Sequence, residues 1–365
     1  MSLSVGIVGL PNVGKSTLFT ALTKNEVLIA NYPFATIDPT VGVVAVPDSR
    51  LATLAAISGT NTIIPAIVEF VDIAGLVKGA SAGEGLGNKF LANIRETDMI
   101  AEVVRIFEDG DIHHVSGQID PLGDIEVINL ELILADAETV AKRLNNVERD
   151  AKRGGKDAVV ERDVLARMLP HLENGRLANT LDMNEDEVKA VKGLHLLTMK
   201  PFLYICNKKT DAFNLDEQND DRWQSLMEYF EETGSQYVTV DAGMEHELRD
   251  LSDDEKNDFR REYGAQDSGV GSLIRACYDR LGLMSYFTTG EKETRAWTVP
   301  IGSTGPKAAA AIHTDFEKKY IRAQVITFED LVAAGSKTAA KEAGKLRAEG
   351  KEYIVKDGDV IEFLI

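Results

Sequence analysis

The chain is poor in cysteine and carries no excess of positive charge. Its 365 residues include two cysteines, Cys206 and Cys277, and have a formal net charge of −19. Two cysteines are too few for a disulfide framework or a zinc site, and they fit a reducing compartment. The acidic total excludes a general nucleic-acid binder, so any such contact needs a local patch.

Long apolar runs and targeting signals are also missing. No stretch approaches the ~18 apolar residues of a membrane span. The N-terminus MSLSVGIVGL has neither a basic segment nor a small-residue cleavage site. We therefore expect a cytoplasmic protein without membrane contact, and we take it to be a monomer. The length predicts about two or three domains.

Residues 9–16, GLPNVGKS, have the spacing of a phosphate-binding loop. The apolar run Ser4–Val8 predicts a buried strand before the loop, and the residues after Ser16 have helical spacing. Backbone N–H groups of such a loop hold phosphate oxygens. Lys15 can reach the β- and γ-phosphates, and Ser16 can offer its hydroxyl to Mg²⁺.

A second apolar stretch ends in Asp72-Ile73-Ala74-Gly75, a DxxG pattern. Asp72 at the end of a strand can hold Mg²⁺ through water, and Gly75 can direct its N–H toward the γ-phosphate. Thr36 or Thr40, in the segment between the two motifs, could supply a further Mg²⁺ ligand. A threonine in a loop is ordinarily a turn residue, and here the flanking motifs favour the metal role.

The strand predicted over PFLYIC is followed by Asn207-Lys208-Lys209-Thr210. GTP-specific proteins of this fold class use Asn-Lys-x-Asp, in which the carboxylate accepts two hydrogen bonds from guanine. Thr210 has no carboxylate, and Asp211 lies one residue late. Because a site without its bidentate acceptor loses discrimination, this loop argues against a guanine preference. The backbone of residues 238–243 could close over the base.

The position after Gly75 is Leu76, whereas many GTPases place there a glutamine that orients the attacking water. Leucine can neither donate nor accept a proton. His114 is a candidate for this work, and a purely structural histidine is an equal alternative on chemistry alone. Asn12 could help to hold a monovalent cation such as K⁺ against the phosphates, or it could be an ordinary turn residue.

Together these motifs resemble the YchF or Obg-like ATPase family of translation-factor-related P-loop proteins. The resemblance runs along nearly the whole chain and includes GLPNVGKSTLFTALT, NYPFATIDPTVGVV, FVDIAGLVKGASAGEGLGNKFLANIRETDMI, VVRIFEDGDIHHVSGQIDP, DIEVINLELILAD, GLMSYFTTGEKETRAWTV, GPKAAAAIHTDFEKKYIRAQVI and EGKEYIVKDGDVIEF.

The resemblance implies ATP hydrolysis on a GTPase-type fold, with a hydrophobic residue such as Leu76 at the glutamine position. It implies His114 as a residue of hydrolysis, Ser16 and Thr36 as Mg²⁺ ligands, and adenine contacts from Asn207 and the Lys208 backbone. It also implies phosphate binding by Asn12, Val13, Gly14, Lys15, Ser16 and Thr17. The fourth motif of the family usually ends in glutamate, and Thr210 departs from that pattern.

The P-loop domain, predicted over residues 1–125 and 200–280, is interrupted by a helical insertion over residues 126–199. Apolar residues recur at a three-four spacing, and Gly154-Gly155 ends the first helix. The apolar positions are Leu130, Ile133, Leu134, Ala137, Val140, Ala141 and Leu144. We interpret the insertion as partly coiled coil. Its lysines and arginines form either a nucleic-acid face or an ordinary surface of mixed charge.

Residues 281–365 predict a small β-grasp domain that resembles a TGS domain. A hairpin-type turn is expected at residues 356–359. Basic and acidic residues are equal in number from Leu281 onward, so the net charge of −19 lies in the remainder. The neutral module is the better docking surface for RNA or ribosomal protein.

The sequence therefore predicts an α/β protein: a Mg²⁺-dependent ATPase that cycles between nucleotide states. Its expected partner is the ribosome, through the large subunit or the 70S particle, with rRNA or tRNA as further contacts. A GTPase of similar role and a nucleotide-gated scaffold with incidental hydrolysis remain as alternatives.

Overall fold

The computed structural model describes residues 3–23, 40–73, 88–110, 118–249, 251, 255–256, 258–259 and 269–365. Its strands are β1 (Ser4–Val8), β2 (Val41–Ala45), β3 (Ile63–Ile64), β4 (Ile67–Asp72), β5 (Met99–Arg105), β6 (Phe107–Glu108), β7 (Phe202–Asn207), β8 (Phe213–Asn214), β9 (Tyr237–Val240), β10 (Leu283–Thr289), β11 (Thr294–Pro300), β12 (Arg322–Thr327), β13 (Arg347–Glu349) and β14 (Asp359–Leu364).

The helices of the described residues are α1 (Lys15–Thr23), α2 (Arg50–Ser58), α3 (Asn88–Glu96), α4 (Pro121–Lys152), α5 (Lys156–Glu173), α6 (Glu185–Val191), α7 (Asp221–Thr233), α8 (Ala242–Leu248), α9 (Gly269–Arg280), α10 (Gly305–Ile312), α11 (Thr314–Lys319), α12 (Phe328–Ala334) and α13 (Lys337–Glu342). None of them combines the length and hydrophobicity that a bilayer crossing requires.

The first sheet has the strand order β2-β4-β1-β5-β7-β9, and only β2 runs antiparallel to its neighbour. Every residue of β5 and β7 is buried, as expected for parallel strands covered by helices on both faces. One face packs against α1 and α9, and the other against α3, α4 and α7. This is the predicted α/β architecture, and it places the carboxyl ends of β1, β4 and β7 along one edge.

The helical insertion consists mainly of α4 and α5, which pack together around Val140, Val164 and Met168. Asp120 caps α4 by accepting a hydrogen bond from the Gly123 N–H at 3.1 Å. The prediction was wrong in two details. Helix α4 begins at Pro121, before the start expected for the insertion at residue 126. Leu130 and Leu134 are 52% and 56% exposed, because the buried face of α4 instead carries Ile125, Ile128, Leu132, Ile133 and Val140.

The basic residues of α4 and its end largely face acidic neighbours. Arg143 pairs with Glu161 at 2.6 Å, Lys152 with Glu148 at 3.6 Å and Arg153 with Asp150 at 3.4 Å. This arrangement favours the surface of mixed charge over a nucleic-acid face.

The second sheet has the order β13-β12-β14-β10-β11-β3. The expected hairpin at residues 356–359 was wrong, because β14 pairs with β12 and β10 rather than with the segment before the turn. Gly358 does turn the chain, with a φ of +84°. The short strand β3 joins this sheet by pairing with β11, although it lies only a few residues before β4 of the first sheet. The short segment between β3 and β4 thus passes from the second sheet to the first.

Candidate nucleotide-binding site

Residues 9–14 connect β1 to α1, and two close approaches fix their path. Gly9 and Gly14 have φ values of +143° and +99°. A Cβ atom on Gly9 would lie 2.5 Å from the Val103 carbonyl oxygen, and one on Gly14 would lie 2.2 Å from Asn207 Nδ2. Both positions therefore need glycine, since no side chain fits there.

Helix α1 begins at the end of this loop. The first hydrogen bond of the helix joins the Leu18 N–H to the Gly14 carbonyl at 2.9 Å. The N–H groups before Leu18 have no acceptor within the helix and form the positive end of its dipole. The side chain of Val13 is buried, so only its backbone is available at the loop, whereas the side chain of Ser16 is exposed. The loop is built to hold an anion.

Lys15 is held inside this loop, and its side chain is only 7% exposed. Its ammonium group donates a hydrogen bond to the Leu10 carbonyl at 2.5 Å. Burial lowers the pKa of Lys15 to about 8, and the nearby Asp72 carboxylate limits that fall. A phosphate group brought to this ammonium would favour its charged form.

Asp72 ends β4 beside the loop and is 7% exposed. Its position is fixed by pairing with Ile7 of β1 and by a 2.9 Å hydrogen bond from its N–H to the Thr40 carbonyl. Within the described residues, no three His, Cys, Asp or Glu side chains group to hold a metal ion. Among the described residues, the Asp72 carboxylate and the Ser16 hydroxyl offer oxygen ligands of the kind that Mg²⁺ accepts when phosphates complete its shell.

Asn207 joins the expected base-binding loop to the phosphate-binding loop. Its Nδ2 donates to the Val13 carbonyl at 2.8 Å, and its Oδ1 accepts from the Ala242 N–H at 3.0 Å. The side chain is 4% exposed. Three segments predicted to surround the nucleotide therefore meet at one amide. The next residue, Lys208, donates its backbone N–H to Val240 at 2.9 Å and pairs its ammonium with Glu217 at 3.0 Å.

Thr210 is held by Asp241, a contact that the sequence analysis missed. The Thr210 N–H and hydroxyl both donate to Asp241 Oδ2 at 2.6 Å. Asp211 has a φ of +61°, which is the left-handed region and turns the chain directly after Thr210. The signal in the sequence was the carboxylate just before Ala242, in a segment that we considered only for its backbone.

The structure brings Asn12, Val13, Gly14, Lys15, Ser16, Thr17, Asp72, Asn207 and Lys208 to one edge of the first sheet. Thr36, Gly75, Leu76 and His114 lie outside the described residues. Their predicted roles stay predictions.

A strand, a glycine-bounded loop, a helix that opens with lysine, and an aspartate ending the neighbouring strand define a P-loop nucleoside triphosphatase. A family model described as "50S ribosome-binding GTPase" matches residues 4–142. A second model, of the YchF C-terminal domain and described as "Protein of unknown function (DUF933)", matches residues 283–365.

Full-length relatives narrow the class further. The chain is 52% identical to "Ribosome-binding ATPase YchF" of Pasteurella multocida over 363 residues, covering 100% of this chain and 99% of that protein. The same named protein of Bacillus subtilis is 51% identical over 363 residues with the same coverage. The solved Schizosaccharomyces pombe YchF GTPase superposes with a TM-score of 0.89 at 35% identity, covering 100% of this chain and 98% of that one. The chain belongs to the YchF family, as its motifs indicated.

Proposed function

We propose that this protein is a Mg²⁺-dependent ATPase that hydrolyses ATP to ADP and phosphate and changes conformation with its nucleotide. One observation carries the preference for ATP. The final position of the base loop is Thr210, whose hydroxyl is bound to Asp241 at 2.6 Å. Guanine recognition by this fold class needs a free carboxylate at that position, and the loop offers none.

The phosphate contacts follow from the loop and the start of α1. Residues 12–17 would hold the phosphate oxygens through backbone N–H groups, and Lys15 would place its ammonium against the β- and γ-phosphates. Gly75 would add its N–H at the γ-phosphate. On the base side, Asn207 and the backbone of Lys208 would contact adenine. The buried amide of Asn207 keeps the base and phosphate subsites at a fixed separation.

Ser16, Asp72 and Thr36 are the residues that would hold Mg²⁺. When bound, the ion neutralises charge on the β- and γ-phosphate oxygens as the terminal P–O bond breaks. Asp72 is buried beside Lys15, so its carboxylate is already oriented before nucleotide arrives. Asn12 has a φ of +63° and lies at the turn of the loop, where its amide oxygen could hold K⁺.

Water activation is assigned to His114 in this proposal. Leu76 stands where many GTPases have a glutamine, so another polar side chain must orient the attacking water. In the sequence His114 comes soon after β5, whose carboxyl end lies at the same edge of the first sheet as the phosphate-binding loop.

We assign the ribosome as partner, with contact to the large subunit or the 70S particle. The names of the bacterial relatives and the description of the matched model support this assignment.

The proposed domain organisation has three parts. We interpret residues 126–199 as a coiled-coil insertion and residues 281–365 as a TGS domain of the β-grasp type, both carried by the P-loop domain of residues 1–125 and 200–280. We also propose a cytoplasmic location and a monomeric state.

Nucleotide choice is tested by calorimetric titration of nucleotide-free protein with ATP-γ-S and with GTP-γ-S, both with Mg²⁺. We expect ATP-γ-S to bind at least tenfold more tightly, which corresponds to about 1.4 kcal/mol. Tighter binding of GTP-γ-S would overturn the ATPase assignment in favour of a GTPase of similar role.

The role of the metal is tested by repeating the ATP-γ-S titration without Mg²⁺. Binding should then be weaker, and unchanged binding would remove the metal from the proposal.

The variant His114→Ala tests whether ribosome binding persists when hydrolysis is lost. We expect it to bind ATP-γ-S normally and to sediment with 70S ribosomes in ATP, but to release little phosphate. If phosphate release is unchanged, His114 does not orient the water. If the variant also replaces the normal protein in cells, hydrolysis is incidental and the scaffold alternative is correct.

A further inference from the structure

Asp241 places a carboxylate next to the base loop. Guanine-binding proteins of this fold class carry that carboxylate in the base loop itself, whereas Asp241 belongs to the loop after β9. It follows β9, and its side chain is 8% exposed. Oδ2 accepts from the N–H and the hydroxyl of Thr210, both at 2.6 Å, and Oδ1 accepts from the Met244 N–H at 2.9 Å. One carboxylate thus holds the base loop and the first turn of α8 together.

These contacts leave Asp241 without the two acceptor sites that guanine would need. A carboxylate offers about four lone-pair sites, and three donors from the protein already occupy sites on Asp241. The single hydroxyl hydrogen of Thr210 points at Asp241, so Thr210 is not a free donor. The Ala242 N–H, which follows directly in the chain, is committed to Asn207 Oδ1 at 3.0 Å.

In the pair Thr210 and Asp241, the hydroxyl donor and the carboxylate acceptor stand on the opposite loops from those of a guanine-reading site. In a guanine-reading loop the fourth-motif residue carries a carboxylate, which needs a donor from its surroundings to hold it in place. Here the fourth-motif residue carries the hydroxyl, and the carboxylate comes from the loop after β9. The base loop is still held in place, because a hydrogen bond still joins it to the loop after β9, with the donor and the acceptor reversed. It loses the free, charged, two-oxygen acceptor that favours guanine.

We propose that Asp241 is a specificity-determining positioning residue, which holds Thr210 so that the base site accepts adenine and gives guanine no carboxylate. This inference rests on the proposed preference for ATP and adds the residue pair that enforces it. Asp241 acts through Thr210 and the loop that follows Asn207, rather than by touching the nucleotide.

The test compares affinities for ATP-γ-S and GTP-γ-S, each with Mg²⁺, in five variants of the full chain, one of them a control. Asp241→Ser removes the carboxylate, and we expect about tenfold weaker ATP-γ-S binding with little change for GTP-γ-S, as for a lost buried hydrogen bond to a charge. Thr210→Val removes only the hydroxyl bond, and it leaves the backbone N–H bond to Asp241 and the cap of α8 in place. It should lower the ATP preference in the same direction.

The decisive variant is the double exchange Thr210→Asp/Asp241→Ser. It returns a carboxylate to the fourth motif and a hydroxyl to the supporting loop. We expect GTP-γ-S to bind at least about tenfold more tightly than to the unaltered protein. Thr210→Asp alone should bind both nucleotides weakly, because it places two carboxylates in contact.

Asp220→Ser is the matched control, because Asp220 also caps a helix, accepting from the Arg222 N–H at 2.9 Å, and its carboxylate bonds to the Arg222 side chain rather than to the base loop. Its ATP-to-GTP ratio should be that of the unaltered protein. Thermal melting of every variant checks folding.

If Asp241→Ser and Thr210→Val keep the ATP-to-GTP affinity ratio of the unaltered protein, Asp241 has no part in selection. The same holds if the double exchange does not tighten GTP-γ-S binding. A GTP preference in the unaltered protein overturns the proposed function itself, whereas an ATP preference that these variants do not move overturns only the role of Asp241.

Discussion

Asn207 donates a hydrogen bond from its side-chain amide to the Val13 carbonyl at 2.8 Å, which joins the base loop to the phosphate-binding loop. Its Oδ1 accepts from the Ala242 N–H at 3.0 Å, so the same amide also fixes the loop after β9. Since both partners are backbone groups, the three segments keep their spacing whatever side chains surround them. The side chain of Asn207 therefore ties the base loop, the phosphate-binding loop and the loop after β9 together.

We expect Asn207→Ala to lose both of these bonds. It leaves the Ala242 N–H without its acceptor in a buried setting, which should lower the free energy of unfolding by about 2–3 kcal/mol. Nucleotide affinity should fall by more than tenfold, or about 1.4 kcal/mol, because the loops lose their spacing. Urea unfolding and calorimetric titration measure the two effects.

Asn179→Ala is the control for that variant. Asn179 is exposed and makes a single long bond, 3.4 Å, to the Lys200 carbonyl. Its removal should change stability by less than about 0.5 kcal/mol and leave nucleotide affinity unaltered. Equal losses in the two variants would mean that Asn207 does not organise the site.

Gly14→Ala should abolish nucleotide binding. Its φ of +99° is costly for alanine, and the new Cβ would collide with the amide of Asn207 at 2.2 Å. Gly59→Ala is the comparison, since Gly59 has a φ of +68° and no atom within 4 Å of the added Cβ. It should cost about 1–2 kcal/mol of stability from backbone strain alone and leave binding intact. Similar binding in both variants would show that the close approach at Gly14 can relax.

Much of this site could be predicted from the sequence because its motifs are local. The glycines, Lys15 and Ser16 stand in one short stretch, and strand–loop–helix spacing fixes their geometry. Asp72 and Asn207 could be placed because each ends an apolar strand, and parallel strands bring their carboxyl ends to one edge. The α/β class followed from the same apolar runs.

What could not be predicted depended on contacts distant in the chain. The Asp241–Thr210 pair joins two loops, and no spacing rule predicts which side chains meet there. Leu130 and Leu134 have helical periodicity, but the periodicity does not tell which side of α4 the first sheet covers. The turn before β14 has hairpin chemistry, yet tertiary pairing with β10 and β12 decided the partners of the strand.

The lowered pKa of Lys15 predicts a pH-dependent affinity. In the free protein the ammonium loses its proton near pH 8, whereas bound phosphate favours the protonated form. Binding above pH 8 must therefore take up a proton, and affinity should fall about tenfold between pH 7 and pH 9. Calorimetry at pH 9 in buffers of different ionisation enthalpy should report uptake of about one proton. Lys15→Gln should bind weakly with no such dependence; a tenfold fall that persists in this variant would place the titrating group elsewhere.

Arg50 connects the P-loop domain to the turn before β14, and this contact predicts an energetic coupling between the two sheets. Its guanidinium binds Asp48 at 2.8 Å and Asp357 at 2.6 Å, and it lies 4.8 Å from the centre of the Phe287 ring. Asp357 in turn accepts from the Ser285 N–H at 3.0 Å. The contact therefore reaches β10 directly.

A double-mutant cycle with Arg50→Met and Asp357→Asn should give a coupling of about 1 kcal/mol in urea unfolding, because Asp357 is half exposed and water screens the pair. The coupling should shrink in 1 M salt. The pair Arg347 and Glu349, which lies within the second sheet at 3.7 Å, serves as the control cycle and should couple more weakly. If the Arg50 cycle gives no coupling, apolar packing of α2 against β10 and β11 holds the two domains together. A charge change at the turn before β14 would then leave the stability of the P-loop domain unchanged.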